Sequence, residues 1–404
     1  MEASAPMTTQ HESPKTPDVL ILAPQPFYQE RGTPIAVRLL AEELADTGYS
    51  VDLLTYHEGL PFVHERVALY RIPAPPGIHG IKPGFSLKKI ICDGLMLIKS
   101  IGLVRKKHYR ILHAVEESVL IALLLCMFFR IPYIYDMDSL LSRQLADMFP
   151  WIGRYSGLLQ WFEKLAMCKS KGILVVCDEL KKIVQKTAPA IPVAVLEDIS
   201  LLDEQGGNAV VDNIRQAYQI NGRILMYVGN LEKYQGIDLL LHAFALLLQE
   251  QQESDLVLIG GRDKDIDKYR QKSLSLGIAK RVHFLGPKPV EHLGQYLQQA
   301  DILVSPRVQG NNTPMKLYSY LASGKPVIAT RLPTHTQVLD EDIALLCEPE
   351  AAAFMHAMHA LINNKELQVQ LGQAAECRAQ QCYSRKAYRA KLQCFYRDVL
   401  GPPA

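Results

Sequence analysis

The chain has 404 residues, 48% of them hydrophobic and 21% charged, with a net charge of +2. That length exceeds one ordinary core and points to two or three globular domains. A near-neutral balance excludes a polyanion-binding surface over the whole molecule, so nucleic acid is not an expected partner and any electrostatic attraction must come from local patches. The eight cysteines form no CxxC pair and show no zinc-finger spacing, so they read as buried or free thiols of a reducing, cytoplasmic compartment.

Residues 1–17 are polar and rich in Pro, Ser and Thr, and read as a disordered tail rather than a signal peptide. The run Val19–Ala23 is continuously apolar and predicts a strand buried on both faces, hence a parallel sheet. A helix is expected from Pro34 to about Thr47, with Thr33 as N-cap, Pro34 in the first turn and Gly48 as stop. Val51–Thr55 completes a βαβ unit, and strands at Ile111–His113, Tyr133–Tyr135, Gly172–Val176 and Val193–Leu196 extend the first domain over 18–200.

Residues 201–222, polar from Leu202 to Asn213, read as a linker. A second series follows over 223–383. Its strands are expected at Ile224–Val228, Leu256–Ile259, Val282–Leu285, Ile302–Val304, Val327–Ala329 and Ala344–Leu346, and the tail from Glu366 to Val399 has a helical pattern. Strands alternating with helices in both halves imply an α/β protein of two doubly wound, Rossmann-like domains facing a cleft.

Two stretches read alike: "RGTPIAVRLLAEELADTGYSVDLLT" from Arg31 and "NNTPMKLYSYLASGKPVIAT" from Asn311. Each has Thr-Pro, a helical run, glycine and an apolar strand. Ligands of open parallel sheets bind at the carboxyl ends of strands, where helix starts offer free amides and a positive dipole end suited to phosphate. The second copy adds Arg307 and Lys316, a cationic fork for a diphosphate, and the first adds Gly32, where a ligand can approach the backbone. The plainer reading of either copy is a well-started helix.

From Val19 to about Tyr383 the chain resembles the family 4 glycosyltransferases of GT-B type. The resemblance rests on the two stretches above and on "HAVEESV", "IPYIYDMDS", "YVGNLEKYQGIDLLLHAF", "LVLIGGRD" and "VHFLGPKPVEHLGQYLQQADILVSP", in that order. It implies a retaining, metal-independent hexosyltransferase with no cofactor beyond its nucleoside diphosphate sugar co-substrate. The donor would lie in the C-terminal domain and the acceptor (a glycan, a lipid-linked glycan or a small-molecule hydroxyl) in the N-terminal one. Residues 384–404 would form a helix crossing back to the first domain.

The sequence departs from that family's charge pattern. Where relatives carry Arg and Lys for the diphosphate stand Asn230 and Gln235, and where they carry a Glu-x7-Glu pair stand Asn311 and Ser319. "HAVE" keeps His113 and Glu116 but has Val115 in place of a second histidine, and Asp138 follows "YDM" where a histidine is common. The resemblance therefore implies His113, Glu116 and Asp138 as the catalytic side. It implies a donor side of Gly32, Gly229, Asn230, Lys233, Gln235, Gly261, Arg262, Arg307, Asn311, Asn312, Thr313, Pro314, Met315, Lys316 and Ser319. Lys233, Arg262, Arg307 and Lys316 can restore the lost cationic charge. Two readings stand: an active enzyme with relocated contacts, or a non-catalytic binding subunit of a glycan or glycolipid biosynthesis complex. A sugar-nucleotide epimerase of similar fold is a further rival.

"DMD" at Asp136–Asp138 is a metal-like pattern, but it reads better as a polar strand end whose Asp138 meets acceptor hydroxyls. "DKDID" from Asp263 lacks the glycine and glutamate of a calcium loop. Residues 84–110 combine Ile91, Leu95, Ile98 and Val104 at helical spacing with Lys88, Lys89, Lys99, Arg105, Lys106 and Lys107. Such a helix either packs its apolar stripe on the core or lies on an anionic membrane at the inner face.

Overall fold

The structure, a computed structural model, describes residues 18–27, 32–81, 86–142, 156–202, 211–250, 253–310 and 312–401. Arg31 and Asn311, both named above, lie outside the described residues. The chain divides into two compact units, residues 1–196 with 389–404, and residues 197–388.

The first unit holds seven strands, β1 (Val19–Ala23), β2 (Val51–Thr55), β3 (Val67–Arg71), β4 (Ile111–Val115), β5 (Tyr133–Met137), β6 (Gly172–Val175) and β7 (Val193–Val195). They pair in parallel in the order β3-β2-β1-β4-β5-β6-β7. Every residue of β1, β2 and β4 is buried, which is why these runs are largely apolar rather than alternating, with Asp52, Thr55 and His113 the buried polar exceptions. β3 lies at the edge with only Val67 buried, and was not among the strands expected from the sequence. Residues 389–401 pack onto this sheet. Tyr396 reaches His113 from there, Arg389 pairs with buried Glu43, and a Cβ on Gly172 would come within 2.8 Å of the Phe395 ring.

In the second unit six strands, β8 (Arg223–Val228), β9 (Ser254–Ile259), β10 (Val282–Gly286), β11 (Ile302–Ser305), β12 (Val327–Thr330) and β13 (Leu345–Cys347), run parallel in the order β10-β9-β8-β11-β12-β13. The strand order turns between β1 and β4 in one unit and between β8 and β11 in the other, the place where such sheets open to a ligand. Part of the expected linker belongs to this unit. Asn213 caps a short helix, Ile214–Ala217, and Ile214 is buried.

The basic segment forms the helix Leu87–Lys106, capped by Ser86. Its buried side overlaps the expected stripe only in part, since Leu95 packs against the core and Val104 is buried. Cys92, Met96, Leu103 and Val104 face the core, whereas Ile91 and Ile98 are exposed, because the helix turns so that Lys89 is buried against Glu117.

Candidate functional site

The second unit gathers two cations at the carboxyl end of its sheet. β8 ends at Gly229 (φ 145), and a Cβ there would lie 3.3 Å from the Lys316 ammonium, so glycine leaves that nitrogen its space. Lys316 Nζ donates to Gln235 Oε1 at 3.1 Å and sits 3.8 Å above the Tyr227 ring. Arg307 is 9% exposed; its Nε donates to the Gln309 carbonyl at 2.7 Å, its Nη1 to the Asn312 carbonyl at 2.9 Å, and its guanidinium lies over the Tyr234 ring. Among the described residues neither cation has a carboxylate partner. Burial pushes the Arg307 pKa down, and burial together with the Arg307 charge pushes Lys316 well below the usual lysine range. Two desolvated like charges without a counter-ion form a place that an anion relieves.

Beneath them lies His335, which nothing in the sequence singled out. It is fully buried, its Nδ1–H donates to the Thr330 carbonyl at 2.7 Å, and its Nε2 therefore accepts from Ser305 Oγ at 2.9 Å. Thr330 Oγ1 in turn donates to the Arg307 carbonyl at 2.5 Å. Burial, with the charges of Lys316 and Arg307, lowers the His335 pKa to about 4, so a neutral imidazole ties the Arg307 loop to β12.

The other donor-side candidates divide. Gln235 is buried against Lys316, while Asn230, Lys233 and Asn312 are exposed. Gly261 packs beside Leu231 at the end of β9. Arg262 is exposed and bonded to Asp265 at 2.9 Å. Ser319 is fully buried, and its hydroxyl accepts from the Leu201 amide at 2.9 Å, so it is spent inside the unit. The second Thr-Pro stretch also differs from expectation. The helix runs Lys316–Ala322, preceded by a tight turn in which the Leu317 amide donates to the Pro314 carbonyl. Thr313 does not cap it and bonds Gln337 instead, Pro314 is buried, and Met315 immediately precedes Lys316. The first copy starts two residues earlier than a Thr33 cap would place it, in the helix Gly32–Asp46, and Gly32 is exposed.

The first unit gathers carboxylates at the corresponding end of its own sheet. Directly after β4, Glu116 holds φ 49, a conformation that non-glycine residues adopt only when their surroundings impose it. Its carboxyl hydrogen-bonds with Asp138 and Glu117, and Glu117 is paired with Lys89. Burial, then the Glu117 charge, pushes the Glu116 pKa up. Ser118 Oγ anchors the turn to the Leu22 and Val115 carbonyls at 2.8 Å each.

His113 needs correction. It pairs with Ile21 and Ile134 in the middle of the sheet and is fully buried. Its Nδ1 meets the Tyr396 hydroxyl at 2.7 Å and its Nε2 meets Asp136 at 3.1 Å, so both nitrogens serve the fold. Asp136 and Asp138 have separate partners, and the "DMD" stretch presents no joined metal pair.

Two family models match the chain. Residues 31–197 match the glycosyl transferase 4-like domain and residues 210–378 the glycosyl transferases group 1. A D-inositol 3-phosphate glycosyltransferase of Corynebacterium aurimucosum is 28% identical over 191 residues, 45% of this chain and 44% of the relative. The matched stretch thus spans less than half of that relative's length. Mannosylfructose-phosphate synthase of Agrobacterium fabrum is 25% identical over 378 residues, 80% of this chain and 78% of the relative. Among solved structures, sucrose-phosphate synthase from Thermosynechococcus elongatus superposes with a TM-score of 0.76 at 19% identity, over 95% of this chain and 99% of that one. Anabaena HepE in complex with UDP-glucose gives 0.70 at 13% identity, over 95% of this chain and 100% of that one.

Proposed function

Since this chain belongs to the family 4 glycosyltransferases, with two Rossmann-like domains of GT-B type, we propose that it moves a hexose from a nucleoside diphosphate sugar to an acceptor hydroxyl with retention of configuration. The observation that carries this reading is the pair of cations, Arg307 and Lys316, desolvated beside each other with no carboxylate partner among the described residues. A departing diphosphate brings the missing negative charge, and preorganised cations stabilise it most in the transition state. In this reading they take the place that a divalent ion fills in other chemistries. UDP-glucose is the first donor to try, because HepE was solved with it.

On the acceptor side Glu116 accepts the hydroxyl proton and Asp138 orients it, with the hydroxyl belonging to a glycan, a lipid-linked glycan or a small molecule. Relatives whose names include a phosphorylated polyol or sugar make such a compound a sensible acceptor to include. A lipid-linked acceptor is favoured by the outer face of the first unit. There the neighbouring helices Leu87–Lys106, Val119–Phe129 and Ser156–Lys169 expose Ile91, Ile98, Met127, Phe128, Trp161 and Phe162 beside Arg105 and Lys106. No helix among the described residues is long and apolar enough to cross a membrane, so this contact would be peripheral, at the cytoplasmic face.

The test is thermal unfolding against UDP, GDP, ADP, CDP and TDP and their sugars, followed by product analysis. Ligand at 100 times its dissociation constant stabilises by about 2.7 kcal/mol. Stabilisation by one base that disappears in Arg307→Ala, with sugar transferred to an acceptor, supports the reading. Binding without transfer or release of sugar would favour a non-catalytic binding subunit.

A further inference from the structure

We propose that the first unit holds one zinc ion through His57, Glu58 and His79. One ring nitrogen of each histidine and one carboxylate oxygen of Glu58 lie within 4.8 Å of one another. The three residues come from two loops, one following β2 and the other preceding the helix Leu87–Lys106.

His57 carries the argument. Its Nε2 lies 3.0 Å from the Ile78 carbonyl, and a carbonyl only accepts, so the proton sits on Nε2 and the lone pair on Nδ1. That Nδ1 is buried and has no hydrogen-bond partner. Metal-binding histidines are held in this way, one nitrogen donating to a carbonyl while the other is left to the metal. Glu58 is held in place by the Gly80 and Ile81 amides, at 2.6 and 3.0 Å. Arg71 grips the carbonyls of His57 and Gly59, so the ligand loop is fastened from behind. Loop fastening alone accounts for Glu58. It does not account for a buried imidazole nitrogen without a partner, nor for a second imidazole whose ring centre lies 6.3 Å from that of His57.

Two imidazoles and one carboxylate suit zinc, whereas magnesium and calcium prefer oxygen throughout. Tetrahedral bonds of about 2.1 Å separate ligands by about 3.4 Å, so His79, on an exposed turn, would move in by about an ångström. Three protein ligands leave a fourth position for water or a substrate oxygen. The ion would tie the two loops together. The inference is independent of the donor reading, since all three ligands lie in the first unit and the two cations in the second.

The untagged full chain, stripped with chelator and dialysed against zinc chloride, should bind one zinc per chain and gain melting temperature. His79→Ala, at an exposed position, should weaken zinc at least tenfold and abolish the gain, and His57→Ala should do the same. Both variants should keep the nucleotide-dependent stabilisation of the wild type, which reports that they fold. Substoichiometric zinc in the wild type, or full zinc retained by His79→Ala, would overturn the proposal. So would preference for magnesium over zinc.

Discussion

The two units share one strand order, with an additional edge strand in the first, and carry opposite chemistry at the carboxyl end of the sheet. In the second, Arg307 and Lys316 are desolvated cations lacking a carboxylate. In the first, Glu116, Glu117 and Asp138 crowd together, with Lys89 paired to Glu117. A doubly wound sheet thus fixes where a ligand can approach, and the loops decide what it must be. Among the described residues the cation pair is a charge imbalance that the fold tolerates without relieving, as expected of a site held ready for a partner.

The largest test of that contrast falls on the cations. Lys316→Met should lower transfer by roughly 10²-fold or more and remove nucleotide-dependent stabilisation. Its melting temperature without ligand should hold or rise, because a half-buried cation, its charge disfavoured by desolvation and by Arg307, has been removed. A variant that is less stable without ligand yet still stabilised by nucleotide would show Lys316 to be structural.

Glu116→Gln should lower transfer by about 10²-fold while donor stabilisation persists. If Glu116 accepts a proton it must be ionised, so wild-type activity should rise with pH through a pKa above the usual carboxylate range, as its burial demands. That limb should vanish in Glu116→Gln. A limb that persists would assign it to another group.

Much of this was legible in sequence, for identifiable reasons. Strands buried on both faces are largely apolar, so β1, β2, β4 and β8 could be read directly, whereas the edge strand β3, with one buried residue, was passed over. Arg307 and Lys316 were named because they follow an apolar strand and lie around the start of the next helix, and Glu116 because the resemblance marks it. His113 was misplaced because its strand was expected to end there, whereas it is the third of five residues in β4 and Glu116 is the one just beyond the end. His335 had only the helix start at Pro333 to mark it. The His57, Glu58 and His79 cluster joins two loops separated in sequence by β3, and local spacing cannot reveal such a pairing.

Stability separates the units next. In the second, Gly236 holds φ 76, and a Cβ there would fall 1.8 Å from the Pro306 carbonyl oxygen, so Gly236→Ala should cost at least about 3 kcal/mol by denaturant unfolding. Acid should weaken the same unit through His335. Its pKa is 6.5 when unfolded and about 4 when folded, so between those values the unfolded state holds the extra proton. Stability should fall as pH drops from about 6.5 to 4, by at most about 3 kcal/mol. His335→Asn should flatten that dependence. Lys316→Met should shrink it, because loss of a neighbouring positive charge raises the folded pKa toward the unfolded one.

The smallest expected effect distinguishes the first Thr-Pro start from the second. Gly32 has no positive φ, and among the described residues nothing lies within 4 Å of where its Cβ would sit. Alanine there meets no obstacle and removes freedom from the unfolded chain, so Gly32→Ala should shift stability by less than about 1 kcal/mol, and upward. A melt that is unchanged or improved leaves any loss of transfer with one explanation, a ligand that must approach the backbone where the methyl now stands. A rate equal to wild type would reduce this stretch to a well-started helix, and would place the anion chemistry of the protein in the second unit alone.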